Sequence, residues 1–279
     1  MTARAITIER AGLQSLVVDR GRFGLRHQGV GWCGAMDLRS YAIANELAGN
    51  PPGCAAIEVV LGDVIVRFES PARFALAGAD CGARLDDEPV ASWEMREARA
   101  GSRLVLSRPR AWMRTILAID GGIDVPIVLG SRTTDLIAGM GGLHGRALRA
   151  GDRLELGARG AETPSREVAA APELSFAFRT IAQPLAEHIW DRVWTVGHES
   201  NRMGYRFKGD ARGHELGMMP SHAVFPGFVQ LPPSGEPIVL MSDAQTTGGY
   251  PLAGVVVEED LWMLAQAPIG AQIRFVPWE

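Results

Sequence analysis

Short runs of alternating apolar and polar residues, broken by glycine-containing turns about every ten positions, fill most of this 279-residue chain. Period-two alternation is the signature of strands with one buried face. It predicts strands at 13–18 and 112–119, and strand–turn–strand units at 57–66 and 229–240, each turning at a glycine. One element occurs three times, a glycine turn followed by an alternating strand, at 99–106, 149–156 and 269–276. Residues 80–88 read as a hairpin turning at Asp86-Asp87. Helical spacing is confined to a few places. Asp37 is placed to cap a helix over 38–48, with Leu38, Tyr41, Ala42 and Leu47 as its stripe and Gly49 as its stop. Residues 258–267 predict another helix and 182–190 a short one. So many short strands and so few helices predict a mainly β protein of barrels or sandwiches, and argue against a doubly wound α/β sheet.

A five-residue pattern, Arg-apolar-Gly-apolar-Arg, stands at Arg22–Arg26 and again at Arg202–Arg206. Read as strands, both copies place the arginines and the glycine on one side. Each precedes one of the strand–turn–strand units, which predicts a tandem duplication with the functional surface where the copies meet. Residues 158–172, rich in Gly, Ala, Pro and charge without apolar period, predict the linker. The resulting expectation is two domains, 1–160 and 173–279.

Composition narrows the function. The chain is 47% hydrophobic and 22% charged, with net charge −4, so no basic stripe marks a nucleic-acid binder. No apolar run approaches the length of a bilayer span and no secretory leader is visible, so a cytoplasmic protein without a membrane partner is expected. Cys33, Cys54 and Cys81 are widely spaced and lack a Cys-x-x-Cys motif; they predict reduced thiols, with Cys33 in a glycine-rich loop. Lys208 is the sole lysine, and no P-loop surrounds it, nor the methionine that flanks a biotinyl-lysine. The histidines show no metal-binding spacing, and no metal is expected.

Three loops carry candidate chemistry. Gln245-Thr246-Thr247-Gly248-Gly249-Tyr250-Pro251 offers hydroxyls and backbone N–H groups that a ligand can approach closely, or is a hairpin turn. Arg132, in Gly130-Ser131-Arg132-Thr133-Thr134-Asp135, offers a planar fork for a carboxylate or phosphate, or else pairs with Asp135 to fix its own loop. Asp80 and Asp124 stand at strand ends, where they serve as proton-handling carboxylates or as turn formers. No Gly-x-Ser-x-Gly elbow is present.

Taken in order, Asp19-x-Gly21-Arg22, Gly34-Ala35-Met36-Asp37, Ala77-Gly78-Ala79-Asp80, Gly121-Gly122-Ile123-Asp124 with Gly130-Ser131-Arg132, Glu199-Ser200-Asn201-Arg202-Met203-Gly204 and Gln245–Pro251 resemble the biotin-dependent carboxyltransferase-like family. The resemblance runs from about residue 13 to 276. It implies two cyclophilin-like β-barrel domains and a companion carboxyltransferase-like subunit that completes the active site. It also implies ATP-dependent opening of 5-oxo-L-proline to L-glutamate by a 5-oxoprolinase complex, in which a separate lactam-hydrolysing subunit takes part. ATP would be used by the complex, and no biotin would be attached to this chain. Asn201, Arg202, Arg132 and the loop Gln245, Thr246, Thr247, Gly248, Gly249 and Tyr250 would contact a small-molecule substrate, with Asp80 and Asp124 as catalytic carboxylates. The resemblance implies two alternatives: biotin-dependent carboxyl transfer to urea or another amide, and non-enzymatic capture of a kinase inhibitor.

Overall fold

The computed structural model describes residues 4–159, 173–215, 217 and 219–278. The chain forms two compact units, one of residues 1–22 with 37–172 and one of 23–36 with 173–279. The expected linker, 158–172, lies almost wholly outside the described residues.

The first unit contains β1 (Ala5–Ala11), β2 (Gln14–Val18), α1 (Leu38–Ala48), β3 (Ala56–Val60), β4 (Val64–Phe68), β5 (Ala72–Gly78), β6 (Arg84–Leu85), β7 (Glu88–Pro89), β8 (Met95–Ala98), β9 (Arg103–Leu106), β10 (Arg114–Ile119) and β11 (Arg153–Glu155). They form a six-stranded sheet, β11-β1-β4-β9-β6-β7, and a five-stranded sheet, β2-β3-β10-β5-β8. One apolar core takes Ile6, Ile8, Phe68, Phe74, Leu76, Leu117 and Ile119 from both sheets. β3 and β4 are buried at nearly every position, which is why strict alternation fades there.

Helix α1 begins where expected. The Asp37 carboxylate accepts from Ser40 N at 2.8 Å, and Gly49 ends the helix in the left-handed region, φ 76°. Its buried face differs from the expected one: Leu38 is exposed, and Tyr41, Ala44, Leu47 and Ala48 are buried with Ser40 and Asn45. The polar members are accommodated by hydrogen bonds, Ser40 Oγ to Asp37 and Asn45 Nδ2 to Tyr41 O.

The second unit holds β12 (Ala177–Ala182), β13 (Trp194–Val196), β14 (Gly204–Gly209), β15 (His222–Ala223), β16 (Phe228–Gln230), β17 (Ile238–Leu240), β18 (Thr247–Gly248), β19 (Leu252–Val256), α2 (Glu258–Gln266) and β20 (Gln272–Pro277). Seven strands close a barrel in the order β12-β19-β16-β17-β14-β13-β20, and β15 pairs with β18 in a separate ribbon. Phe178, Trp194, Tyr205, Phe207, Val229, Val239 and Phe275 fill the barrel core. The buried polar tips are satisfied: Trp194 Nε1 donates to Ile189 O at 2.9 Å and Tyr205 Oη to Ala265 O at 3.3 Å. In place of a helix over 182–190 there is a single 3₁₀ turn, Ala186–His188.

The thrice-repeated turn has one cause. Gly101, Gly151 and Gly270 take φ of 88°, 92° and 85°, and bonds from Ser102 N to Arg99 O, Asp152 N to Arg149 O and Ala271 N to Pro268 O close the turns. A glycine at the third position of such a turn is what lets β9, β11 and β20 start. The predicted hairpin is also present, with Asp86 and Asp87 both left-handed between β6 and β7.

The duplicated pattern is overturned: in its second copy the strand begins only at Gly204, with Arg202 buried and Arg206 exposed, and its first copy holds no strand. Residues 22–26 are not a strand, because Gly21 and Gly24 take φ of 108° and 82° and Arg26 opens a 3₁₀ turn, Arg26–Gln28. The two strand–turn–strand units differ as well. β16 and β17 pair with each other, whereas β3 and β4 lie in different sheets, parted by three successive left-handed residues, Leu61, Gly62 and Asp63.

Candidate active site

In the second unit the barrel wall has two buried faces. Val229, Leu231, Val239 and Met241 point into the core, while Ile238 and Leu240 join Val224, Ala244 and the partly buried Phe228 in a separate outer cluster. The ribbon β15–β18 and its flanking loops cover that outer face, with Ala223 opposite Thr247 and His222 opposite Gly248. The loop Gln245–Tyr250 is therefore part of a flap on the wall of the barrel.

Arg26 enters this flap from residues 23–36. Its Nη2 donates to the carbonyls of Val224 and Gln245. Its guanidinium carbon lies 4.9 Å from the ring centre of Phe225 and 5.4 Å from that of Trp32. Phe23 and Phe228 extend the aromatic cluster, at 5.2 Å from Trp32 and 5.7 Å from Phe225. Arg26 Nε and Nη1 are buried and have no hydrogen-bond partner among the described residues. Burial pulls the Arg26 guanidinium below its ordinary range, partly offset by Cys33. The stacked guanidinium is thus enclosed between Phe225 and Trp32 with two donors unused among the described residues.

Gln230 is the second such group. It lies in β16 between two core residues, is 2% exposed, and its Nε2 has no hydrogen-bond partner among the described residues. A methyl group at Gly248 would lie 2.4 Å from that nitrogen and 3.2 Å from Val224 Cγ1.

Arg202, expected to contact substrate, is instead 5% exposed, with Nε and Nη2 on the Asp243 carboxylate and Nη2 also on Gly34 O. Asn201 forms a turn, its Oδ1 accepting from Met203 N at 2.8 Å. Gln245 contributes its carbonyl oxygen to Arg26. Thr246 accepts a bond from Val224 N, Thr247 and Gly248 are ladder residues, and Gly249 O accepts from Met219 N. Tyr250 is partly buried beside Pro251, whose carbonyl receives Leu231 N.

The remaining candidates lie in the first unit. The Asp19 carboxylate accepts from Ser131 Oγ, Arg132 N and Gly21 N, which fixes the Gly130–Arg132 loop. Arg132 does not pair with Asp135. Its Nη2 meets Asp124 at 3.1 Å, while the Asp135 carboxylate caps Ile137 N and Ala138 N. Arg132 Nε is buried without a partner among the described residues. Asp80 stands elsewhere in the unit, on a groove of about 1050 Å³ also lined by Arg84, Arg96, Arg108, Trp93 and Trp112. Its carboxylate accepts from Gly82 N at 2.8 Å, as turn-forming aspartates do. Neither Asp124 nor Arg132 lines that groove.

Arg26, which reaches the flap from residues 23–36, and Gln230, in the barrel wall, are polar groups that sequence reasoning does not single out. The available signal for Arg26 is its place in the repeated arginine–glycine pattern. For Gln230 it is a lone amide at the centre of an apolar strand.

Comparison with known proteins agrees with this architecture. The chain is 44% identical to the C subunit of 5-oxoprolinase from Escherichia coli K12, over 97% of this chain and 90% of that protein. It is 40% identical to the corresponding C subunit of 5-oxoprolinase from Haemophilus influenzae, over 94% and 87%. The crystal structure of K. lactis urea amidolyase superposes with a TM-score of 0.91 at 28% identity, covering all of this chain but only 19% of that one. Residues 28–277 match the family described as carboxyltransferase domain, subdomain A and B, and the chain belongs to that family.

Proposed function

We infer that the chain works as the C subunit of a 5-oxoprolinase, an ATP-dependent complex that opens 5-oxo-L-proline to L-glutamate. The observation that carries this is identity of 40–44% to two such subunits over nearly the whole length of each. The chemistry of the flap fits: an aromatic-flanked arginine with unused donors suits a small acid. A lactam is a poor electrophile, and transferring phosphate from ATP to its oxygen makes the ring carbon open to water. Arginines hold carboxylate and phosphate through such a step without titrating.

In this reading Gln245, Thr246, Thr247, Gly248, Gly249 and Tyr250 form the loop over the substrate, and Arg202 positions it through Asp243. Asn201 and Arg132 supply further amide and anion contacts. Asp80 and Asp124 are the carboxylates available for proton handling. A companion carboxyltransferase-like subunit completes the site, a lactam-hydrolysing subunit joins them, and the two halves of the chain are cyclophilin-like. Among the described residues no helix is long and apolar enough to cross a membrane.

The test is reconstitution. The chain alone should release little glutamate from 5-oxoproline and ATP, and the companion subunits should restore turnover; robust turnover by the isolated chain would reject the subunit reading. Structural likeness to urea amidolyase supports a second reading, carboxyl transfer to an amide with biotin on a separate carrier. The sole lysine here, Lys208, is held on Glu236 at 2.7 Å. Avidin-sensitive consumption of bicarbonate with urea would favour that reading.

A further inference from the structure

The groove beside Asp80 reverses the charge of the chain. The protein carries a net charge of −4, yet four arginines line this groove, Arg84, Arg96, Arg108 and Arg110, with Asp80 as its one carboxylate. A cleft lined by one sign of charge focuses its field and concentrates counter-ions. Two of the arginines are partly engaged: Arg84 donates to Asp87 O, and Arg96 meets Glu94 at 3.2 Å. Arg108 and Arg110 are exposed and make no hydrogen bond or ion pair among the described residues. The walls around them are preformed. Backbone bonds from Ser107 N to Cys81 O, Val90 N to Ala83 O and Trp93 N to Leu76 O tie them together at 2.9, 2.9 and 2.7 Å. Trp93 and Trp112 also line the groove, and both take left-handed backbone, φ 68° and 62°. Bulky residues are uncommon in that region and persist only where their surroundings fix them. Here both outliers are tryptophans of one groove.

We propose that this groove binds a nucleoside triphosphate, the arginines holding its phosphate chain and the tryptophans its base. The donors decide the class of ligand. One guanidinium serves a small carboxylic acid, whereas four suit a chain of linked phosphates, which arginine grips through paired N–H bonds. Indole faces take a planar base by stacking. The size agrees: the groove encloses about 1050 Å³, at the upper end of the roughly 300–1,000 Å³ of ordinary ligand sites. The chain has no P-loop, and the arginines supply the positive charge that a P-loop lysine would. The assignment deepens the 5-oxoprolinase reading and rests on it for the choice of ATP among nucleotides. Arg108 and Arg110 bind and orient; neither makes or breaks a bond.

The experiment titrates the full chain with ATP, inorganic triphosphate and adenosine in a calorimeter, then measures 5-oxoproline opening by the complex reconstituted with its companion subunits. ATP should bind more tightly than triphosphate, and triphosphate more tightly than adenosine. The double variant Arg108→Gln with Arg110→Gln should weaken ATP roughly tenfold or more, the loss of at least one charge-assisted hydrogen bond. In the complex it should raise KM for ATP by a similar factor and leave KM for 5-oxoproline unchanged. Both side chains are exposed and unpaired, so the variant should fold as the wild type does. Arg99→Gln with Arg149→Gln removes the same charge at exposed positions outside the groove and should leave ATP binding as it was. A wild-type chain that binds no ATP, a groove variant that binds it as before, or equal weakening by the outside pair would overturn the site. Triphosphate binding as tightly as ATP would overturn the role of the tryptophans and with it the nucleotide. The two readings fail separately. ATP binding that the groove variant loses, in a complex that does not open 5-oxoproline, would keep the site and reject the function; turnover with KM for ATP unchanged in the variant would do the reverse.

Discussion

Arg202 and Asp243 form a buried two-pronged ion pair, with guanidinium Nε and Nη2 each 2.9 Å from a carboxylate oxygen. The third contact, Nη2 to Gly34 O at 2.7 Å, ties the pair to residues 23–36. Backbone bonds run beside it, Asp243 N to Arg202 O and Met241 N to Met203 O. The arginine at the head of the expected substrate motif therefore holds the start of the flap loop in place.

Breaking one side of that pair leaves a charge buried without its counterpart. Asp243→Asn should lower stability by about 3–5 kcal/mol, and the double change Arg202→Met with Asp243→Leu should recover most of the loss. Chemical denaturation of the wild type and both variants checks it. A double variant no better than the single one would show that the loss is not electrostatic.

Gly141 is a second fixed point. It takes φ of 68°, and a methyl group there would lie 2.0 Å from Thr133 O and 2.2 Å from Arg22 Nη2. Arg22 is 1% exposed and donates to Thr133 O and Val128 O, which shapes the 128–133 loop. Gly141→Ala should cost more than the ~1–2 kcal/mol of left-handed backbone alone, because backbone and guanidinium must also move. The thermal midpoint reads this out, and an unchanged midpoint would remove Arg22 as the organiser of the loop.

The strands and turns are legible in the sequence because their causes are local. Gly101, Gly151 and Gly270 mark turns through backbone freedom, and Asp37 marks a helix start through its side chain. What escapes depends on tertiary partners. Arg22–Arg26 fits a strand by pattern, yet Gly24 turns it, and the chain passes from one unit to the other after Arg22. Proximity in sequence points Arg132 to Asp135, whereas its partner Asp124 comes from the adjoining segment. Arg202 and Gln230 show the difficulty for sites most plainly. Nothing in the sequence reveals that the arginine has a carboxylate and that the amide finds no acceptor among the described residues; only the packed barrel decides that.

The cysteines give a chemical test of the first unit. Burial pushes the thiols of Cys81 and Cys54 up, and Cys81 Sγ lies 2.9 Å from Thr115 Oγ1. Thiolate is the reactive form, so both should react with an aromatic disulfide reagent far more slowly than a free thiol at pH ~8. Denaturant should expose all three cysteines to rapid labelling. Fast labelling of Cys81 in the native protein, located by peptide mapping, would contradict the packing of β5 against β10 beside it.

Arg146 and Asp152 supply a pH dependence. The guanidinium nitrogens reach the carboxylate at 2.7 and 2.8 Å, and Arg149 N adds a bond at 2.8 Å. The Arg146 hydrogen bonds, outweighing partial burial, hold the Asp152 carboxyl below the ordinary carboxylate range. A group whose value is depressed by folding binds more protons unfolded than folded. Its stabilisation is present in full above the unfolded value of about 4 and is lost as pH falls through the folded value. Asp152→Asn should therefore be less stable than wild type near neutrality, with the gap narrowing steadily below pH ~4. Urea midpoints of both proteins at several pH values decide it; a gap that is constant down to pH ~2.5 would mean that Asp152 acts only by forming its turn.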